Sequence, residues 1–249
     1  MNIYWVSANL FGLELLKHVI GEIRLPIRGI ITLPRGSKVV MYDGVPSRCW
    51  RVFDVPVYET QDINEEAEFL KTGGADLLIV CGWRQVIKSD ILKIPCLGTI
   101  GFHPTLLPEG RGAAPIINTL LAGKSRSGVS LFQMAEGIDD GDIIGQEAFP
   151  IDVSDHADDL YTKIVASGKR LLDKYLLKIL AGSAPRIPQV GEKATYYPKP
   201  KLANNRINLD QDSPEQVFRK IKALSKPYRG AYIVKDGKKI ILWRAELTQ

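Results

Sequence analysis

Ile3 to Ala8 is an apolar run of the length of a buried strand. From Leu10 to about Ile20, Phe11, Leu15, Leu16 and Val19 then recur on one helical face. The alternation of strand-like and helix-like segments continues. Arg28 to Leu33 predicts a second strand, and Val55 to Tyr58, with its proline, a short edge segment. Asn64 to Lys71 predicts a helix with Asn64 as its candidate cap. Ala75 to Cys81 is almost continuously apolar, the pattern of a strand covered on both faces. A short helix and a strand at Thr99 to His103 follow, then strands at Gly128 to Phe132 and Ile143 to Ile151. Ser154 is placed to cap a long helix reaching Leu180. Its acidic start and basic second half suit the helix dipole, and Leu160, Ile164, Leu171, Tyr175 and Ile179 form its buried stripe.

Strands alternating with helices imply an α/β fold: a Rossmann-like, mostly parallel sheet with right-handed crossovers and helices on both faces. Residues 1–181 are expected to form this catalytic domain. The Pro- and Gly-rich stretch 182–205 reads as a linker. Residues 206–249 read as a small α+β subdomain, with a helix near Pro214 to Leu224 and a hairpin turning at Asp236-Gly237. The first strand-to-helix turn, Ser7-Ala8-Asn9-Leu10-Phe11-Gly12, lacks the three spaced glycines of a dinucleotide site, so NAD is not expected.

Composition narrows the classes. The 249 residues are 45% hydrophobic and 24% charged, enough for one large domain with an appendage. The apolar runs are too short to cross a bilayer, and Met1 to Val6 reads as a first strand rather than a signal peptide, so no membrane association and a cytoplasmic location are expected. Cys49, Cys81 and Cys96 form no CxxC pair, which argues against a disulfide framework and against zinc and leaves inert thiols as the expectation. The net charge of +5 suits either an ordinary surface or an anionic, nucleotide-linked substrate.

Two segments carry candidate chemistry. In Gly101-Phe102-His103-Pro104-Thr105-Leu106-Leu107-Pro108-Glu109-Gly110-Arg111-Gly112-Ala113-Ala114-Pro115, the histidine stands at the carboxyl end of a predicted parallel strand, the edge where open α/β sheets bind ligands. A lone histidine is more often structural, but this placement favours a functional one. In Glu136-Gly137-Ile138-Asp139-Asp140-Gly141-Asp142-Ile143, three acids in four positions fit a solvated turn or a functional loop. They lack the ligand spacing of a calcium site, so no metal is expected.

Together these segments resemble the formyltransferase family that uses 10-formyltetrahydrofolate. That family carries H-P/G-S/T-L-L-P, then R-G-x-x-P, then D-x-G-D/A-I, here His103 to Pro108, Arg111 to Pro115 and Asp139 to Ile143 at the family's His-to-Asp offset. The likeness is close over 75–151 and looser elsewhere; Thr195 to Lys199 and Arg206 to Asn208 resemble the start of the family's C-terminal region. It implies His103 and Asp139 as catalytic residues. It implies a loop Trp83-Arg84-Gln85-Val86-Ile87 that holds the pterin of N10-formyltetrahydrofolate largely through backbone groups, with Asp139 and Asp142 also on the folate side. It places Gly101, Pro104, Thr105 and Arg111 toward the acceptor substrate, Arg111 being equally suited to bonding loop carbonyls. One departure stands out. The family's third catalytic residue, an asparagine two positions before the histidine, is here Gly101. Another donor substitutes (Asn9 and Asn118 are candidates), or the enzyme is slow, or the site has changed its task.

Formyl transfer to an amine passes through a tetrahedral oxyanion, and one donor aimed at that oxygen is worth about 3 kcal/mol. A protonated imidazole is such a donor, and a carboxylate beside it favours that form and fixes the ring. One of the pair also takes the proton of the attacking amine. Family relatives act on initiator tRNA, glycinamide ribotide or nucleotide-linked amino sugars, the last including sugars of lipopolysaccharide O-antigens. Only about 45 residues follow Asn205, too few for the C-terminal barrel of the tRNA enzymes. The resemblance therefore implies a nucleotide-linked amino sugar as acceptor, no nucleic-acid partner, and a homodimer built partly from the C-terminal region. A tRNA-modifying enzyme, a folate-binding homologue without turnover and an unrelated nucleotide-binding enzyme are the competing readings.

Overall fold

The computed structural model describes residues 1–39, 43–199 and 205–248. Its centre is a seven-stranded sheet of β1 (Ile3–Ser7), β2 (Gly29–Thr32), β3 (Val57–Glu59), β4 (Leu77–Cys81), β5 (Thr99–His103), β7 (Arg126–Gln133) and β8 (Ile143–Pro150), in the order β3-β2-β1-β4-β5-β7-β8. The first five strands pair in parallel. β7 runs antiparallel to β5, with His103 opposite Ser130, and β8 runs antiparallel to β7. The carboxyl ends of β1, β2, β4 and β5 therefore share one edge.

Successive residues of a strand face opposite sides, and here each side has its own core. Ile3, Trp5, Leu77, Ile79 and Cys81 face α1 (Leu10–His18), α4 (Pro115–Leu121) and the long α5 (Ala157–Leu180). Tyr4, Val6, Leu78 and Val80 join a second cluster with Leu70 of α2 (Ala67–Thr72) and with Ile91 and Leu92 of α3 (Ser89–Leu92). Helices thus cover both faces, as the continuous apolar strands require.

Two helix starts differ from expectation. The cap of α5 is His156 rather than Ser154, and the Asp159 carboxylate accepts the His156 backbone N–H at 2.9 Å. The segment near Asn64 is a 3-10 turn capped by Asp62, whose carboxylate accepts the Asn64 N–H at 2.9 Å; α2 starts only at Ala67.

The stretch expected as a linker is bonded to the domain along its described length. The short strand β9 (Tyr196–Tyr197) pairs in parallel with β6 (Arg111–Gly112), and Ile187 bridges to Ile143. The C-terminal helix α6 (Pro214–Leu224) and the hairpin of β10 (Ala231–Lys235) and β11 (Lys238–Leu242) have the expected form. Asp236 (φ 50°) and Gly237 (φ 74°) make its tight turn. Ile221, Leu224 and Tyr228 bury into the same core as α5, so this unit shares the catalytic domain's interior.

Candidate active site

His103 ends β5 and is buried. Its Nε2–H donates to the Gly110 carbonyl at 2.7 Å, the only role open to a nitrogen facing a carbonyl oxygen. That bond occupies Nε2, and the other ring nitrogen, Nδ1, faces Asp139 Oδ2 at 3.5 Å. Asp139 Oδ2 also accepts the Gly112 N–H at 2.8 Å. The two expected catalytic side chains therefore meet, although they come from strand ends on opposite sides of β7. The separation suits an electrostatic pair more than a closed hydrogen bond.

The loop after His103 is shaped by residues that were not expected to belong to the site. Fully buried Ser130 donates to Thr105 O at 2.7 Å and accepts the Leu107 N–H at 3.0 Å; Gln146 adds a bond to Leu107 O at 2.8 Å. Thr195 Oγ1 accepts the Gly110 N–H at 2.8 Å, steadying the carbonyl that holds His103. Thr105 itself is buried, and Pro104 is partly exposed beside it. Ser130 lies in the expected strand and Thr195 in the segment that resembles the family's C-terminal region, but neither carries a sign of this role in the sequence.

Arg111 is buried against neutral groups. Its Nε and Nη2 donate to Gln189 Oε1 at 3.1 and 2.7 Å, and Nη1 donates to Tyr196 OH at 3.1 Å. Its partners are thus side chains of the segment 189–196 rather than the loop carbonyls expected from the sequence.

Gly101 lies on the same strand face as His103, two residues away. A β-carbon there would stand 3.0 Å from Met134 Cγ and 3.1 Å from Phe132 Cε1. Met134 and Phe132 thus crowd the place where an asparagine side chain would begin. The two substitute amides have other work. Asn118 Nδ2 faces Ala113 O, Ala114 O and Pro198 O, three acceptors for two hydrogens. Asn9 caps α1 by accepting the Gly12 N–H and donates to Asp43 at 2.9 Å.

The loop Trp83 to Ile87 follows β4 on the same edge. Ile87 is buried in the second core, and Gln85 is bonded to Gln61 O and the Ile63 N–H, so those two side chains are structural. Val86 is exposed, with its carbonyl held by Asn64 at 3.0 Å. The buried Trp83 indole N–H has no hydrogen-bond partner among the described residues. Arg84 reaches Asp43 at 3.4 Å. Asp43 is itself buried and accepts from Tyr161 OH at 3.0 Å, and burial followed by that carboxylate pushes the Tyr161 phenol up. Asp142 is partly exposed, with its carbonyl taking the Gln133 N–H. Among the described residues no cluster of side chains has the makings of a metal site, and no helix is long and apolar enough to cross a membrane.

Two hollows border the sheet. One of about 460 Å³ lies at the carboxyl ends of β1 and β2, lined by Arg35, Ser37, Ser47 and Arg48 among others. A larger one of about 660 Å³ touches Asp76 and Cys96, which precede β4 and β5, and so lies at the opposite edge, away from His103.

Comparison with known proteins agrees with this geometry. The family model described as formyl transferase matches residues 44–176, and that of the formyl transferase C-terminal domain matches 200–249. Methionyl-tRNA formyltransferase of Staphylococcus aureus is 31% identical over 218 residues, covering 87% of this chain and 70% of that protein. A 4-N formyltransferase from Francisella tularensis superposes with a TM-score of 0.78 at 23% identity, covering 100% of this chain and 98% of that one. An N-formyltransferase from Helicobacter canadensis, in complex with folinic acid and dTDP-3-aminofucose, superposes with a TM-score of 0.72 at 22% identity, covering 96% of this chain and 86% of that one. With its histidine and aspartate meeting at the carboxyl edge of such a sheet, this chain belongs to the formyl transferase family.

Proposed function

We propose that this protein transfers a formyl group from N10-formyltetrahydrofolate to the amino group of a nucleotide-linked amino sugar. The observation that carries the reading is the His103–Asp139 pair, with its Nε2 side closed by Gly110 and its Nδ1 side facing the carboxylate.

The residues after β4 fit a folate. Trp83 offers a partly exposed apolar ring, Val86 is exposed, and Arg84 stands between them with a positive charge. Such a surface matches a flat ring with a hydrogen-bonding edge. When bound, the folate supplies the activated one-carbon unit. The chain's own residues do the rest. His103 Nδ1 takes the proton that the attacking amine must lose as its new C–N bond forms, and Asp139 balances the resulting imidazolium. The same N–H then faces the oxygen on which charge has developed and returns the proton to the departing nitrogen as the old C–N bond breaks. Products are a formamide and tetrahydrofolate, with no covalent enzyme intermediate.

For the acceptor, the hollow at the ends of β1 and β2 offers two exposed arginines, Arg35 and Arg48, where a diphosphate can sit. Three strand spacings, about 14 Å, separate the ends of β2 and β5. A hexose plus a diphosphate bridges such a gap and a lone sugar does not. The Helicobacter canadensis protein, whose complex holds a dTDP-linked amino sugar, gives the same direction. A second copy of the chain is the proposed partner for the exposed apolar side chains of the hairpin, Val234, Ile240, Ile241 and Trp243, and light scattering of the purified protein reads it directly.

The test is a screen of N10-formyltetrahydrofolate with a panel of nucleotide-linked amino sugars, read as mass gain of one formyl group. The similarity to methionyl-tRNA formyltransferase supports a second reading, with initiator tRNA as acceptor. Formylation of charged tRNA and of no sugar in the panel would replace the first reading with the second.

A further inference from the structure

We infer that Gln189 is a positioning residue, which sets the separation between His103 and Asp139 from a segment distant from both in sequence. This rests on the proposed pairing of those two residues in catalysis.

A glutamine amide offers two N–H donors and an oxygen with two lone pairs. All four sites on Gln189 are used. Oε1 accepts from Arg111 Nε at 3.1 Å and Nη2 at 2.7 Å. Nε2 donates to Asp139 O at 2.9 Å and Gly141 O at 2.7 Å. The partners also fix which way the amide points, since a guanidinium can only donate and a carbonyl can only accept. One side chain thereby joins the loop that follows His103 to the turn that carries Asp139.

That turn needs holding. Asp139 has φ 49°, a left-handed conformation that costs a non-glycine residue about 1 kcal/mol or more and persists only where the surroundings enforce it. The restraints around it are few: the Gly112 N–H on the Asp139 carboxylate, and the two Gln189 bonds to its carbonyl and that of Gly141. On the other side, Arg111 belongs to the two-residue strand β6, which begins immediately after Gly110, the acceptor of His103 Nε2–H. Gln189 therefore ties the two backbones from which the histidine and the carboxylate are held, and it does so through a buried arginine whose partners are otherwise a tyrosine hydroxyl and ring.

Gln189→Glu separates the two halves of this arrangement. The carboxylate keeps its bonds to Arg111 and gains a charge pair, but it can no longer donate, and it repels the Asp139 and Gly141 carbonyls. Gln189→Met, of the same length, removes all four bonds and serves where the charged variant folds poorly. In both, kcat for formyl transfer is expected to fall by about tenfold to a hundredfold with KM for the folate little changed, since a displacement of about 1 Å at a reacting centre has this effect. An independent measurement is 15N NMR of the histidine rings at fixed pH, with His103 assigned by its loss in His103→Ala. In Gln189→Met the His103 Nδ1 resonance is expected to move as the carboxylate withdraws, while that of Nε2, still bonded to Gly110, stays near its parent position. The NMR result does not require the acceptor to be known, so it tests the positioning role even if no sugar is formylated. A His103 Nδ1 resonance and a kcat unchanged from the parent in a folded Gln189→Met protein would overturn the inference.

Discussion

Asp139 Oδ2 lies 3.5 Å from His103 Nδ1 while the opposite nitrogen of the same ring donates to the Gly110 carbonyl at 2.7 Å. The ring is thus held on its Nε2 side, which leaves Nδ1 for the proposed proton transfer.

Replacing His103 with Ala is expected to lower kcat by at least about 10²-fold with folding intact. Asp139→Asn tests the charge without disturbing the turn, because asparagine tolerates the left-handed conformation. It keeps an oxygen for the Gly112 N–H, so thermal stability should hold while kcat falls by about 10²-fold. Full activity in Asp139→Asn would mean that the aspartate serves shape alone.

Gly101 and Met134 form a complementary pair: where one has no side chain, the other fills the space. Gly101→Asn alone should crowd Met134 and Phe132 and destabilise by about 1–3 kcal/mol in urea titrations. Combined with Met134→Ala, the amide gains room beside His103. If formyl-oxygen stabilisation is short of a donor, kcat of the double variant should rise by about tenfold or more. An unchanged kcat in a stable double variant would place the missing donor elsewhere in the site.

Asp43 is bonded to three other parts of the chain through Asn9, Arg84 and Tyr161. Tyr161→Phe removes a hydrogen-bond donor from this buried carboxylate and should lower stability by about 1–3 kcal/mol. A denaturation midpoint equal to the parent's would show the hydroxyl to be dispensable.

At the start of α5, burial alone would push the Asp159 carboxyl up, but the His156 N–H and the Arg244 guanidinium outweigh it and hold it below its ordinary value. A carboxyl depressed in the folded state stabilises at pH above its unfolded value, near 4, and that stability fades as pH falls through the folded value. Asp159→Asn should therefore be less stable than the parent at pH 7, with the gap closing toward pH 2. A gap of constant size across that range would refute the assignment.

What was legible in the sequence follows the reach of the physics. β4 and β5 could be read because burial on both faces writes a continuous apolar run at those positions, and His103 because it ends such a run. The capping residues were misplaced by two positions at Ser154 and at Asn64, where several side chains compete to accept the same N–H groups and only the folded backbone chooses. The segment 182–199 looked like a linker because proline and glycine interrupt any period, while its bonds from Gln189 and Thr195 reach partners far away in the chain. Gly101 was visible as a gap; that Met134 fills it was not, since a methionine in a loop carries no positional signal.

The pairing of β9 with β6 has a consequence for the order of events during synthesis. The ribosome delivers His103 and Asp139 long before it delivers Gln189, Thr195 and Tyr196. A nascent chain halted near residue 180 would own every strand of the main sheet and both reacting side chains, yet lack the crosspiece that braces them. On the proposed role of Gln189, the brace between the two side chains is therefore the last part of the site to be synthesised.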